Sequence, residues 1–96
     1  MEWIDIEPTA EEQLCRVAHF EVRKAHQGGY VTFGISVREY LNPLDGAMKF
    51  VATADKETNQ KTAAYTPIGW GSSQGVALWE CVQAIRKFPY EPPELS

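Results

Sequence analysis

At 96 residues, with 44% hydrophobic and 23% charged side chains, the chain has the size and composition of a single globular domain. No apolar run approaches the roughly 20 residues that a membrane-spanning helix needs. The start, MEWIDIEPTAEE, is acidic and lacks the apolar core of a secretory signal, so we expect a cytoplasmic protein without membrane contact. We predict one domain over residues 1–96, with residues 1–8 as an N-terminal arm or edge strand and residues 89–96 as an extended tail.

The net charge of −4 is spread unevenly along the chain. Residues 1–12 carry no basic side chain, which leaves nine basic and eight acidic groups in the rest. A chain without a basic stripe gains little affinity for nucleic acid from phosphate contacts, so nucleic acid is an unlikely partner. An acidic edge favours a basic protein surface, although the same acids could simply cap a helix and keep the protein in solution. The acidic residues are Glu2, Asp5, Glu7, Glu11 and Glu12.

The first predicted element is a helix over about residues 10–26. Thr9 stands three residues before Glu12, which is the spacing of a capping box. Gly28 and Gly29 follow the periodic segment and are typical of a helix end. At helical spacing one stripe would collect Leu14, Cys15, Ala18, Val22 and Ala25.

The next segment, residues 30–41, alternates with a period of two and predicts a strand. One face is apolar and would be buried, and the other is wetter. Gly34 lies on the wetter face, where it indicates a bulge or a close approach. The apolar face comprises Val31, Phe33, Ile35 and Val37, and the wetter face Tyr30, Thr32, Ser36, Arg38 and Tyr40.

The remaining chain predicts two more strands and a second helix. NPLDG, residues 42–46, has turn chemistry, and strands follow over residues 47–54 and 62–70. Pro67 cannot donate to a ladder, so the last strand should lie at an edge or end there. The helix should span about residues 73–88, with Ser72 or Ser73 as N-cap. Its core stripe would be Leu78, Val82 and Ile85.

These elements predict an α+β fold in the order α-β-β-β-α. Short links make the three strands an antiparallel meander. Both helices need a surface for their apolar stripes, and the apolar face of residues 30–41 can hold them side by side.

The turn GWGSSQG, residues 69–75, is the first candidate for chemistry. A helix N-terminus can bind an anion, but the turn has no phosphate-loop spacing and no lysine follows it. The simpler interpretation is that Gly69 and Gly71 relieve a sharp turn while a serine caps the helix. Trp70 is either a partly exposed interface anchor or a lid over the edge of the core.

Cys15, His19 and His26 would share one face of the predicted first helix. A thiol nucleophile or a metal site needs a further orienting or ligating group, which the sequence does not supply. We therefore predict no enzyme, no metal and no cofactor, and keep a small thiol and histidine enzyme as the least favoured alternative. Cys15 and Cys81 are expected to be reduced and packed as small apolar residues.

The wetter sheet face is the remaining candidate surface. Aromatic and basic side chains could stack nucleobases there, or they could form ordinary cross-strand pairs. With few basic groups, the face favours a protein partner, and a homodimer through this face or through the third strand is a further expectation. The candidate partner-binding residues are Tyr30, Arg38, Tyr40, Tyr65 and Trp70, together with the acidic residues given above; Lys49 lies among them.

The segment KFVATA…AAYTPIGWGSSQGVALWECVQAI resembles, in layout, the last two strands and second helix of double-stranded-RNA-binding domains. The resemblance implies the α-β-β-β-α topology and makes a nucleic-acid-binding module the second functional hypothesis. That family has a lysine cluster at the start of the second helix, where this chain has Ser72, Ser73, Gln74 and Gly75. It also has a histidine in the first loop between strands, where residues 42–46 read NPLDG.

The same short layout is similar to that of small accessory proteins of phages and other mobile elements, including anti-CRISPR proteins. Some of these proteins act by covering the surface of a host protein. The first functional hypothesis is therefore a non-enzymatic protein that binds another macromolecule, most directly a protein, by surface contact.

Overall fold

The computed structural model describes residues 1–41 and 48–92. After a short 3-10 helix at Trp3–Asp5, the elements are four strands and one α-helix. All neighbouring strands are antiparallel, in the sheet order β1-β2-β3-β4. Within the described ranges, no helix has the length and apolar character to cross a membrane. The elements are β1 (Cys15–His26), β2 (Gly29–Tyr40), β3 (Phe50–Ala54), β4 (Ile68–Gly71) and α1 (Gln74–Lys87).

The α+β class is confirmed, but the predicted three strands and two helices are wrong. The segment predicted as the first helix is strand β1, so the described chain has four strands and a single α-helix. As a strand, β1 brings Phe20 opposite Ile35 and Val22 opposite Phe33, where both side chains pack against the core. In a helix, Phe20 would have pointed away from the apolar stripe. The order α-β-β-β-α, which the resemblance to RNA-binding domains implies, is therefore not the order of this fold.

The glycines that were expected to end a helix instead close a hairpin. Gln27 and Gly28 adopt positive φ angles of 46° and 78°, and they separate His26 from its partner Gly29. Two consecutive left-handed residues form the tight turn whose twist matches that of the flanking strands. The capping-box residues also meet without a helix: the Thr9 N–H donates to Glu12 Oε1 at 2.9 Å, within a turn. That hydrogen bond lowers the pKa of Glu12.

The core lies between α1 and one face of the sheet. The apolar row predicted for residues 30–41 is confirmed, because Val31, Phe33, Ile35 and Val37 are all buried there. The buried stripe of α1 is offset from the predicted one: Ala77, Cys81 and Ile85 are fully buried, whereas Leu78 and Val82 are only partly so.

The offset follows from a close crossing of α1 over β4. A Cβ at Gly69 would lie 2.6 Å from the Cys81 backbone nitrogen, and one at Gly71 would lie 2.6 Å from Val76 Cγ1. The two glycines therefore serve close packing rather than a sharp turn, and small helix residues must face them. Ser73 is confirmed as the N-cap, with its Oγ accepting from the Val76 N–H at 3.2 Å.

The later strands are shorter than predicted. β3 begins at Phe50 and β4 at Ile68, directly after the buried Pro67, and β4 is an edge strand as expected. Tyr65 forms only an isolated bridge with Thr58. The predicted turn at residues 42–46, the start of the second predicted strand at residue 47 and the end of the tail at residues 93–96 lie outside the described residues.

The two chain ends are tied to the sheet. The N-terminal arm contains a 3-10 helix instead of the strand considered above, and the Arg16 guanidinium lies 5.3 Å from the centre of the Trp3 ring. In the tail, the Tyr90 ring packs edge-on against Phe33 at 5.7 Å and against His26 at 5.1 Å.

Lys24 joins the first strand to the end of the helix. Its Nζ donates to the carbonyls of Ile85 at 2.7 Å and Phe88 at 2.6 Å. A positive charge at this position complements the negative end of the helix dipole and satisfies carbonyls that lack partners within the helix. Partial burial lowers the pKa of Lys24.

Candidate functional site: the bare sheet face

The side of the sheet opposite α1 is the candidate functional surface, and we call it the bare face. Side chains alternate along each strand, so every second residue of the four strands points to this side. It comprises Val17, His19, Glu21 and Arg23 of β1, Tyr30, Thr32, Ser36 and Arg38 of β2, Val51 and Thr53 of β3, and Ile68 and Trp70 of β4.

One row of side chains crosses the whole bare face. Val17 is opposite Arg38, Arg38 is opposite Val51, and Val51 is opposite Trp70. Directly opposed side chains on one face have Cβ atoms about 5 Å apart, so the row is continuous. We call these four residues the central row.

The central row combines an exposed aromatic ring with exposed aliphatic groups. Trp70 is 45% exposed and Val17 is 41% exposed, while Val51 between them is only 5% exposed. Ile68, which neighbours Trp70 on β4, is 37% exposed. Trp70 and Ile68 therefore form an exposed apolar pair at one end of the row, with Val17 at the other end beyond Arg38 and Val51. Exposed apolar side chains of this size are typical of protein-binding surfaces, and tryptophan is common among interface anchors.

The hairpin end of the bare face is more polar. The Arg23 guanidinium lies 5.0 Å from the centre of the Tyr30 ring, and Tyr30 is 68% exposed. The His19 Nδ1 and the Ser36 Oγ are 3.2 Å apart. This end is therefore a set of ordinary cross-strand pairs, in contrast to the apolar central row.

Gly34 marks the close approach that its position predicts. Its N–H donates to Asp55 Oδ1 at 2.9 Å, and a Cβ there would lie 2.8 Å from Asp55 Oδ2. The carboxylate of Asp55 thus lies over the bare face at Gly34, and Lys56 Nζ is 3.5 Å from its Oδ1.

The charges of the bare face are mixed. Arg23 and Arg38 are accompanied by Glu21 and by Asp55, and all four residues are exposed. A balanced set of charges gives little of the counterion release that drives binding to phosphate backbones. The arrangement suits a partner surface that is mainly apolar with scattered charges.

Three of the predicted face residues lie elsewhere or at its margin. Tyr65 packs its ring 5.2 Å from that of Phe88, on the side of α1. Lys49 binds Glu39, with Nζ 3.1 Å from Oε2. Tyr40 is half-buried at the end of β2 and lines a cleft of about 180 Å³ with Pro8, Leu14 and neighbouring residues. Tyr30 and Arg38 are on the bare face, as their alternation along β2 predicts. Trp70, which was expected in the turn before the helix, is on this face as a residue of β4.

The acidic side chains of the N-terminal segment are all exposed, but two of them are already engaged locally. Asp5 Oδ2 accepts from the backbone N–H of Glu2 at 3.1 Å, and Glu12 accepts from Thr9. Glu7 lies between these two turns, and Glu11 lies within the second one. The segment leads into β1 close to Val17, so its negative charge is near one end of the central row. The exposed acids are Glu2, Asp5, Glu7, Glu11 and Glu12.

The groups considered for catalysis or metal binding are not assembled into a site. Cys15 and His19 are four residues apart on one strand, which places their Cα atoms about 13 Å apart. Among the described residues, no cluster of His, Cys, Asp or Glu side chains could hold a metal ion. Cys81 is a fully buried free thiol, and burial raises its pKa to about 11, which is the opposite of what a nucleophile needs.

The sequence interpretation missed Val17, Val51 and Ile68 as members of the surface. The available signal was the alternation of Val17, His19, Glu21 and Arg23 with Ala18, Phe20 and Val22, which identifies β1 as a strand with two distinct faces. Comparison of the chain with protein-family models, curated proteins and solved structures finds no match.

Proposed function

We propose that this protein is a non-enzymatic binding protein that contacts a second protein through the bare face. The observation that carries the proposal is the central row, which leaves Trp70 and Val17 in water on a sheet face that the single helix does not cover. Both side chains are already more than half buried, so covering the rest against a partner would stabilise a complex by about 1 kcal/mol for each.

The geometry also suggests what kind of surface the partner presents. Its centre would be apolar to match Val17 and Trp70, with an acceptor for Arg38, which forms no ion pair within the described residues. Basic side chains at the margin would face the acidic N-terminal segment beside β1. A protein of this kind acts by occlusion or by bridging, as an inhibitor that covers a functional surface does. A small inhibitor of a host protein, carried by a phage or other mobile element, is a narrower form of this hypothesis.

The matched variants for a test are provided by the chain itself. Trp70 and Trp79 are both exposed, at 45% and 53%, but Trp79 is on α1. Val17 and Val76 form a second pair, at 41% and 47% exposed, with Val76 again on α1. In each pair, one substitution removes a side chain from the bare face and the other removes the same type of side chain from α1.

The experiment is affinity capture from extract of the native host, followed by a binding titration with the captured partner. We expect Trp70→Ala and Val17→Asp to weaken binding by about tenfold or more, because anchor residues commonly contribute 2 kcal/mol or more. Trp79→Ala and Val76→Asp should bind like the unaltered protein, and circular dichroism should show that all four variants are folded.

Two results would contradict the proposal. Loss of binding in the α1 variants, with binding retained in the bare-face variants, would move the interface to the helix. Tight binding of duplex RNA or DNA that weakens steeply with salt would favour the nucleic-acid-binding alternative instead.

A further inference from the structure

The outer edge of β1 is a second unpartnered feature of the fold. β1 is 12 residues long and lies at the end of the sheet, with β2 as its only neighbour among the described strands. Its register with β2 runs without interruption from Cys15 to His26, so neither a bulge nor a proline interrupts the edge. Edge strands of this length are templates for pairing with another strand.

The antiparallel geometry shows which backbone groups are available. The tight turn at Gln27 and Gly28 makes His26 and Gly29 a hydrogen-bonded pair, so even-numbered residues of β1 bond to β2. The Leu41 N–H donates to the Leu14 carbonyl at 3.1 Å, which agrees with this alternation. The N–H and C=O groups of the odd-numbered residues therefore point outward, and these residues also carry the β1 side chains of the bare face.

The usual protection of such an edge is weakened here. An inward-pointing lysine in an edge strand normally opposes pairing, because pairing would bury its charge. Lys24 points inward, but its ammonium is already held by the carbonyls of Ile85 and Phe88. It can therefore remain in place when a second strand arrives.

The charges along the edge select both the partner and the register. Glu21 and Arg23 project from the bare face of β1, and neither forms an ion pair within the described part of the chain. When a second copy of β1 is placed antiparallel with its two-fold axis at Val22, Glu21 of each copy is opposite Arg23 of the other. Moving the axis by one residue would put Glu21 opposite Glu21 or Arg23 opposite Arg23, and like charges directly opposed destabilise a sheet.

Apolar side chains complete the match on the helix side of the sheet. Phe20 and Val22 are only partly buried at this edge, although both pack against the core. With the axis at Val22, the two Val22 side chains are opposite each other. Phe20 of each copy is opposite Lys24 of the other copy, whose ammonium is held by the end of α1. The Val22 pair would thus give the junction an apolar centre on the helix side.

We propose that the protein is a homodimer in which the two β1 strands pair antiparallel about a two-fold axis at Val22. The result is an eight-stranded sheet with both bare faces on the same side, because odd-numbered residues are opposite odd-numbered residues. The dimer would present two central rows, one from each copy. This inference does not depend on the proposed function, because the association is measured with the isolated protein.

The first test uses charge reversal and mixing, with the mass in solution measured by analytical ultracentrifugation over a wide concentration range. The unaltered protein should sediment as a dimer. Glu21→Arg alone gives two positive pairs at the junction and Arg23→Glu alone gives two negative pairs, so each should weaken the dimer by about tenfold or more. An equimolar mixture of these two variants should restore dimers, because every pair then joins opposite charges.

The second test fixes the register by cross-linking in a Cys15→Ser background. Val22→Cys should form an intermolecular disulfide on mild oxidation, because the two Cα atoms at the axis would be about 4.5 Å apart. Ala18→Cys is the matched control: it lies on the same face of β1, but eight residues would separate it from its copy along the junction.

Three outcomes would overturn the inference. A monomer at every concentration would exclude the dimer. Dimers that resist both single charge reversals, or that are not restored in the mixture, would exclude the pairing of Glu21 with Arg23. Faster cross-linking of Ala18→Cys than of Val22→Cys would place the axis elsewhere.

Discussion

The two faces of this sheet are built on the same four strands but from different side chains. On the helix side, β4 contributes only Gly69 and Gly71, and β3 contributes Ala52 and Ala54 beneath α1. On the bare face, the same short strand β4 presents Ile68 and Trp70. A strand that is nearly bare of side chains on one face and bulky on the other can hold a helix closely while keeping a large aromatic group in water.

The comparison separates stability from binding. Residues on the helix side are buried and should determine the free energy of unfolding, whereas residues of the central row should affect stability little and binding strongly. Substitutions on the two faces test that separation.

Phe33→Ala should have the largest effect. Phe33 is fully buried and packs against the Tyr90 ring, so its loss leaves a cavity between β2, α1 and the tail. We expect a decrease of about 3 to 5 kcal/mol in the free energy of unfolding, measured by urea titration. A decrease below about 1 kcal/mol would show that the helix side is not the core.

Gly69→Ala should be the next most damaging change, because the added Cβ meets backbone atoms of α1 that cannot move independently. We expect a loss of about 1 to 3 kcal/mol from overpacking. Gly75→Ala is the control within the helix: nothing lies within 4 Å of its added Cβ, so it should stabilise the protein by up to about 1 kcal/mol. Equal effects at both sites would contradict the close crossing of α1 over β4.

Cys81 should make the protein less stable at alkaline pH. Burial raises its pKa to about 11 in the folded state, above the ordinary thiol value of 9.0. The folded state therefore holds the thiol proton more tightly than the unfolded state does. The resulting contribution to stability is fully present below pH 9 and is lost as the pH rises towards 11. We expect a loss of about 2 kcal/mol over this interval, measured as the difference between the unaltered protein and Cys81→Ala. Identical pH profiles for the two proteins would show that the thiol is accessible to water.

Trp70→Ala should have the smallest effect on stability, although tryptophan has the largest side chain of all the amino acids. The ring is 45% exposed, so we expect a loss of about 1 kcal/mol or less in the same urea titration. A loss comparable to that of Phe33→Ala would make Trp70 a lid over the sheet, which was the alternative interpretation of its position.

Much of the chain after residue 29 could be predicted from the sequence, while the segment before it could not. The alternation of residues 30–41 identified β2 because only a period of two separates Val31, Phe33 and Ile35 from their neighbours. Ser73 and the flanking glycines identified the start of α1. These are local signals, so local reasoning was sufficient.

β1 was mistaken for a helix because its apolar residues fit both periods. Cys15, Ala18, Val22 and Ala25 can form a helical stripe, whereas Ala18, Phe20 and Val22 form one face of a strand. The segment is a strand because the tight turn at Gln27 and Gly28 pairs it with β2 along 12 residues. This pairing depends on the partner strand, so it cannot be read from the residues of β1 alone. The sequence therefore predicts the bare face at Tyr30 and Arg38 on β2, but not on β1 or at Trp70 of β4.

The contact of Lys24 with the end of α1 has a consequence for the order of folding. It joins Lys24 to Ile85 and Phe88, which follow it by 61 and 64 positions along the chain. The contact can therefore form only after the β1–β2 hairpin has formed and the helix has packed against it. The last turn of the helix should accordingly remain frayed in early intermediates and gain amide-exchange protection late. The hairpin, whose contacts are closer in sequence, would serve as the template on which the C-terminal part of the chain is completed.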